Sequence, residues 1–257
     1  MRGPAALGPV ERVASIDSTN AELLRRARRG DDAGVVLVAD VQTAGRGRLG
    51  RVWEAAPGSS LLVSLLLRPD LEPGDAHLAT VAAALAARAA CRTVAGVDAG
   101  IKWPNDLVAG DRKLAGLLTE AVVSGRRLDA LVVGMGLNVT ADAVPDGMAD
   151  SATSLAGEAP GGGVRREAVL EAWLVELAPR LASLASPSGR RALAAEHRDG
   201  CVTLGRRVRV ERGAGGRPAD PLEGAAVDLT DAGHLVVDDG ATRHVVAVGD
   251  VVHVRPA

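Results

Sequence analysis

Residues 42–51 read Gln42-Thr43-Ala44-Gly45-Arg46-Gly47-Arg48-Leu49-Gly50-Arg51. Glycines let the backbone take positive φ and approach a ligand closely, and arginines present planar forks of N–H donors that match carboxylate or phosphate. The chemistry of such a loop is anion capture. The same residues also describe a solvated turn, or an arginine–glycine segment that grips nucleic-acid phosphates. No GK[ST] follows, which excludes a Walker loop, and no G-x-G-x-x-G opens a helix here.

A second block, Ile101-Lys102-Trp103-Pro104-Asn105-Asp106-Leu107, runs on to Gly110-Asp111-Arg112-Lys113-Leu114-Ala115-Gly116-Leu117-Leu118. Pro104 cannot donate to a ladder, so a strand ends there and Asn105 and Asp106 fall at a turn. A hairpin with Trp103 in the core and Lys113 in water accounts for part of this pattern; two polar clusters around an apolar ladder point to a site. In Val133-Gly134-Met135-Gly136-Leu137-Asn138 the alternate glycines mark a strand that something approaches closely, a nucleotide or a second strand, or else a bulge. Ser18-Thr19-Asn20 is explained by helix capping alone.

The elements that must position these residues follow from periodicity. A strand is expected over 13–16 and a helix over 19–29, with Thr19 and Glu22 at capping-box spacing and Gly30 as the stop. Apolar runs at 35–41 and 61–67 predict covered strands, and 77–94 an alanine-rich helix. Residues 113–123 and 127–139 predict a strand pair turning at Gly125. Leu170, Trp173, Leu174, Leu177 and Leu181 share one helical face. From Cys201 onward Val208, Val210, Leu235, Val237, Val245, Val248, Val252 and Val254 lie in short β-branched runs, which places a domain boundary near 198–203 and predicts an all-β domain over 201–257 after a larger domain over 1–200. Gly213-Ala214-Gly215-Gly216 reads as a hairpin loop.

Composition excludes several classes. The 257 residues carry 30 Lys and Arg against 32 Asp and Glu, a net charge of −2, with 47% hydrophobic residues: neither a disordered chain nor a basic nucleic-acid binder. The chain has three Trp but no Phe and no Tyr, so it lacks Phe and Tyr platforms for stacking bases and fills its core with Leu, Val and Ala. Cys91 and Cys201 have no partners at metal-ligand spacing. The N-terminus lacks the build of a secretory signal, and the longest apolar stretch, near residues 78–90, is broken by Arg88 and falls short of the ~20 residues of a membrane span. A cytoplasmic protein with no membrane and no nucleic-acid partner is expected.

Taken in order, Ser18-Thr19-Asn20, the stretch from Gln42 to Trp53, Lys102–Leu107, Arg112–Leu118 and Gly134–Val139 resemble the biotin protein ligases, the biotin–[acetyl-CoA-carboxylase] ligases. The resemblance spans residue 13 to the C-terminus. It implies an α+β fold, a mixed β-sheet with helices akin to class II aminoacyl-tRNA synthetases and lipoate ligases, followed by a small SH3-like barrel. It implies biotin, ATP and Mg²⁺ as reactants, biotinyl-5′-AMP as intermediate, and a lysine of a biotin carboxyl carrier protein as acceptor, on a monomer or a homodimer. About a dozen residues precede the first motif, so the DNA-binding domain of larger members is not expected.

Carried over by motif position, Ser18, Thr19, Asn20, Gln42, Gly45, Gly116 and Leu118 border biotin. Arg46, Gly47 and Arg48 close over its carboxylate and the adenylate phosphate, with Lys113 beside that phosphate; Arg46, Arg48 and Lys113 are the expected catalytic set. Arg48, Arg51, Trp53, Asn105, Asp106, Lys113 and Asn138 belong to the nucleotide side, Asp106 being the candidate for Mg²⁺ or for holding a neighbouring cation. Ala152 stands where some members place an aromatic over adenine, and Asp250 and Arg255 are candidate contributions from the barrel. The resemblance also implies an exposed sheet edge near Lys113 and Leu137 for carrier docking. Bringing one anion against another requires local cations, and a water-sensitive mixed anhydride requires a cover, so the 45–51 loop is expected to be disordered when empty and to close on ligand. A lipoate or other acyl ligase is the runner-up, against which no RRxSGGG-like segment is found; a nucleic-acid module is the non-enzymatic alternative.

Overall fold

The computed structural model describes residues 7–253, except Arg212, Gly215, Gly216, Ala219 and Val248. Val248, Val254, Arg255 and the tip of the 213–216 loop therefore lie outside the described residues. The first strand, β1 (Val10–Ile16), leads into α1 (Thr19–Arg29). The cap is Ser18 rather than Thr19: its side chain accepts from the Ala21 N–H, and Gly30 closes the helix at φ 92°. That shift by one residue frees the Thr19 hydroxyl for other work.

β2 (Val36–Gln42) and β3 (Ser60–Leu67) follow, then α2 (Leu78–Ala95), β4 (Gly100–Lys102), β5 (Asp106–Ala109), β6 (Arg112–Ser124) and β7 (Arg127–Asn138). They form one seven-stranded sheet in the order β1-β2-β3-β7-β6-β5-β4, parallel between β1 and β2 and antiparallel elsewhere. Lys113 and Leu137 thus stand on inner strands, contrary to the expected exposed edge. β6 outruns β5, however. Beyond Gly116 no strand pairs with its outer side among the described residues.

The short α3 (Leu155–Glu158), α4 (Arg166–Ser183) and α5 (Pro187–Gly200) complete the helices. α2 packs against α4, with Trp173 wholly buried and its indole N–H donating to the Ala83 carbonyl at 3.1 Å. The segment Pro73–Ala95 is longer and more apolar than the sequence reading allowed, enough by length and composition to cross a membrane, but 67% of its apolar window is buried inside the fold. A core helix satisfies the same pattern.

The remaining strands are β8 (Arg207–Glu211), β9 (Gly213–Ala214), β10 (Arg217–Pro218), β11 (Leu222–Leu229), β12 (Leu235–Asp238), β13 (Arg243–Val246) and β14 (Asp250–His253). β9 and β10 pair as the arms of the expected hairpin; the other five make an antiparallel sheet in the order β13-β12-β11-β8-β14. Alternation turns Val246 and Val251 inward and leaves Val245 and Val252 exposed. Trp103 leaves the first sheet to join this second core, its indole donating to the Gly233 carbonyl at 3.0 Å. Both cysteines are buried and free, and burial pushes the Cys91 thiol up to about 12.

His197, on α5, is 1% exposed, and neither ring nitrogen has a hydrogen-bond partner. Burial, then the nearby His77 and Arg198, holds it down at about 4, below the ordinary 6.5. The unfolded chain therefore binds a proton that the folded chain refuses, so the stabilisation is complete above pH 6.5 and is lost as pH falls from 6.5 towards 4. The loss should reach about 3 kcal/mol. Urea unfolding across this window is expected to flatten in His197→Leu; an unchanged slope in the variant would remove His197 from the acid response. His77 and His253, both lowered chiefly by burial, act with the same sign and account for the slope that remains.

Candidate active site

One cavity of about 450 Å³ collects the sequence-predicted residues. Its floor is the sheet, where Gly116 on β6 and Gly136 on β7 face each other in register. A side chain at either glycine would run into the Trp53 indole, which lies across both. At Gly134 it would run into Asn20. The alternate glycines thus admit two side chains, with no bulge in that stretch of β7.

At one end Ser18, Thr19, Asn20 and Gln42 line the wall, the first three buried. Gln42 Oε1 accepts from the Thr19 N–H at 2.8 Å and lies 3.0 Å from Thr19 Oγ1. The Ser64 hydroxyl donates to Asn20 Oδ1 at 2.6 Å and lies 2.7 Å from Thr19 Oγ1. Asn20 Nδ2 donates to the Leu118 carbonyl at 3.1 Å and to Glu120 Oε2 at 3.0 Å. Apart from Glu120, which stands behind Asn20 and outside the lining, these groups are uncharged and mutually fixed, a wall suited to a neutral ligand rich in N–H and C=O groups.

The other end is charged. Lys113 Nζ sits 2.8 Å from Asp106 Oδ1 and 5.6 Å from the centre of the Trp53 ring, close enough for a cation–π contact. The 151–153 segment fixes the Lys113 backbone: its N–H donates to the Ser151 carbonyl at 2.8 Å and its carbonyl accepts from Thr153 at 2.9 Å, bringing Ala152 to the cavity wall. The Trp53 indole N–H is buried without a partner, a donor left for a ligand.

The 45–51 loop covers the cavity, and each of its arginines already has a protein partner. Arg46 pairs with Glu120 at 2.9 Å. Arg48 donates to Asn105 Oδ1 at 3.0 Å and to the Gly249 carbonyl at 3.1 Å. Arg51 pairs with Asp250 of β14. Burial draws the Arg48 pKa below its ordinary value, with Asp106 pulling the other way. The loop's three arginines are thus all engaged with protein groups. Its one large apolar residue, Leu49, is nevertheless 69% exposed and takes the left-handed φ of 55°, which costs roughly 1 kcal/mol. A loop fastened by side-chain ion pairs and carrying backbone strain is built to release.

Gly45 stands at the root of this loop, outside the lining; its carbonyl accepts the Trp53 N–H at 3.1 Å, and a Cβ there would collide with the Trp53 carbonyl. Gly47, Arg48, Arg51, Leu118 and Asp250 all reach the cavity. Asn105 and Asn138 line it too, but their amides are engaged inside the protein: Asn105 Nδ2 with the Leu117 carbonyl at 2.7 Å, Asn138 Nδ2 with the Thr153 carbonyl at 2.9 Å. Ser64 and Glu120 went unread in the sequence. Ser64, a hydroxyl in the middle of the apolar stretch Leu61–Leu67, is the one that carried a signal.

Residues 13–138 match the biotin/lipoate A/B protein ligase family and residues 203–254 the biotin protein ligase C-terminal domain. The biotin–[acetyl-CoA-carboxylase] ligase of Mycobacterium tuberculosis is 39% identical over 251 residues, 95% of this chain and 88% of that protein. This chain belongs to the biotin protein ligase family. It is an enzyme of the ligase class. A bifunctional ligase/repressor of Bacillus spizizenii is 37% identical over 61% of this chain, a match that spans 48% of that longer protein. The biotin protein ligase of Aquifex aeolicus, solved in complex with biotin and ATP, superposes with a TM-score of 0.79 at 26% identity, covering 96% of this chain and 99% of that one. The neutral wall, the charged end and the arginine loop described above therefore sit on the scaffold of this family.

Proposed function

We propose that this chain is an ATP-dependent biotin protein ligase that forms biotinyl-5′-AMP and passes the biotinyl group to a lysine of a biotin carboxyl carrier domain, working in the cytoplasm. The observation that carries the reading is the division of one cavity into a neutral hydrogen-bonding wall and an end where Arg48, Arg51 and Lys113 converge. Biotin offers a neutral ureido ring at one end and a carboxylate at the other, and the two halves of the cavity match them in order.

In the first step a carboxylate oxygen attacks the α-phosphorus of ATP, and pyrophosphate leaves with the electron pair of the broken P–O bond. Arg48 and Lys113, joined by Arg46 once it leaves Glu120, lower the repulsion between the two anions and stabilise charge spreading over the phosphate oxygens. Mg²⁺ would neutralise phosphate charge, and Asp106, lining the charged end, is the carboxylate that would hold it together with the phosphates of ATP. Trp53 offers the nucleotide its ring face and its unpartnered N–H, the cover that Ala152 does not supply. In the second step the carrier's lysine amine attacks the acyl carbon and AMP departs. The outer side of β6 beyond Gly116, rather than the strands around Leu137, is the sheet edge offered to an extended acceptor segment.

Exchange of labelled pyrophosphate into ATP tests the first step. It is expected with biotin and Mg²⁺ and absent without biotin; exchange driven by lipoate and not by biotin would transfer the chain to the lipoate branch.

A further inference from the structure

The register of the first sheet sets one row of residues across four strands: Gly136 on β7, Gly116 on β6, Asp106 on β5 and Lys102 on β4. Residues directly opposite on neighbouring strands point to the same face. The row that begins under the Trp53 indole therefore continues through the Asp106 carboxylate and ends on Lys102, one strand spacing of about 4.8 Å further out. Alternation along β4 agrees: Ile101 and Trp103, on either side, turn into the two hydrophobic cores, whereas Lys102 is half-buried. β4 has only three residues, yet both its edges are held. β5 pairs along one; on the other the Ile101 carbonyl accepts the Val202 N–H at 3.0 Å and the Trp103 N–H donates to Thr203 Oγ1 at 3.0 Å. The charged groups that act on Lys102 are Asp106, Lys113, Arg206 and Asp111. Asp106 is already paired with Lys113 at 2.8 Å and Asp111 with Arg206 at 2.6 Å, and among the described residues no carboxylate stands within ion-pair distance of the Lys102 ammonium. A cation on a fixed strand thus stands at the end of the row with its charge unspent.

We propose that Lys102 binds the pyrophosphate half of ATP, the β- and γ-phosphates, beyond Asp106 on the row that starts under Trp53. The inference rests on the ligase reading of this cavity and adds where the leaving group goes. Attack by the carboxylate oxygen breaks the bond between the α-phosphorus and the bridging oxygen. The electron pair stays on that oxygen, so pyrophosphate departs with one more negative charge than those phosphates carried in ATP. Lys102 meets that charge as it appears, while Lys113 stays with the α-phosphate that is retained. Exchange runs the same bond in reverse: a pyrophosphate oxygen attacks the α-phosphorus and the carboxylate regains its electron pair.

Two variants of the full chain test the site: Lys102→Gln removes the charge, and Lys102→Arg keeps it. In biotin-dependent exchange, KM for pyrophosphate is expected to rise about 10- to 100-fold in Lys102→Gln, the worth of one hydrogen bond to a charged group. Lys102→Arg should recover most of that rise. KM for biotin and the melting temperature should not move in either variant. A wild-type KM for pyrophosphate in Lys102→Gln would overturn the proposal. So would a rise shared by biotin and accompanied by a lower melting temperature, since Lys102 would then only support Asp106 and its strand. Calorimetric titration with magnesium pyrophosphate alone separates this inference from the reading beneath it. Binding that Lys102→Gln abolishes, in a chain that shows no biotin-dependent exchange, would keep the site and reject the ligase reading. Exchange that is present and identical in the wild type and Lys102→Gln would keep the ligase and reject the site.

Discussion

Lys113→Ala should lower biotin-dependent pyrophosphate exchange by at least about 100-fold, the cost of deleting one preorganised charge-stabilising group, and leave the fold intact. Two consequences of the geometry combine. The deletion removes the ammonium that the proposed mechanism sets beside the reacting phosphate, and it takes from Asp106, whose Oδ1 lies 2.8 Å from Nζ, its paired cation. The fold survives because the hydrogen bonds at this position that hold the 151–153 segment come from the backbone, to Ser151 and from Thr153, and because the side chain is 36% exposed. Because Asp106 is also the carboxylate proposed to hold Mg²⁺, adding Asp106→Ala to Lys113→Ala should not restore exchange above the Lys113→Ala level. Pyrophosphate exchange in the two single variants and the double variant checks this, alongside thermal melting; near-wild-type exchange in Lys113→Ala would take the residue out of the chemistry.

Gly134→Ala should weaken biotin binding about 10-fold and destabilise the chain by roughly 1–3 kcal/mol, the cost of leaving buried polar groups without partners. The added methyl would fall on the Asn20 amide, 2.8 Å from its Cγ. An asparagine on the surface would swing away at little cost. This one is held by Ser64, Leu118 and Glu120, and moving it strands the Ser64 hydroxyl and breaks into the Thr19–Gln42 chain. The same substitution in an Asn20→Ala background, where the amide is gone, should cost far less. Calorimetric titration with biotin and urea unfolding of the four proteins measure the coupling, and additive effects would show that Gly134 and Asn20 act independently.

The residues of the site were legible because they lie in segments whose composition departs from what a strand or helix needs. Glycines at 134 and 136 are costly in a strand, and three arginines among glycines serve no core. The main strands and helices were legible for the opposite reason: long apolar runs such as Ser60–Leu67 and Leu78–Ala95 admit few other readings. What escaped was set by tertiary packing. α5 carries Gly189 and Gly200 and buries only Leu193, Ala194, His197 and Gly200, too sparse a stripe to stand out. Glu120 sits on a strand beside Thr119 and Ala121, and nothing in its local pattern says that a lid arginine 74 residues away will find it. The strand order was equally invisible. Lys113 and Leu137 look like edge residues along the chain, and pairing of β6 with both β5 and β7 turns them inward. The lid arginines find Glu120, Asn105 and Asp250, three partners drawn from three distant segments.

The account turns on a covered cavity in which an activated acyl group survives. Mixing the full chain with labelled biotin and MgATP, removing the small molecules rapidly by gel filtration and following the label over time tests that directly. Retention of one biotinyl-adenylate per chain, decaying far more slowly than the free compound in the same buffer and discharged at once by a carrier domain, is the predicted result. No retained adenylate, or a bound adenylate that hydrolyses as fast as the free one, would contradict it.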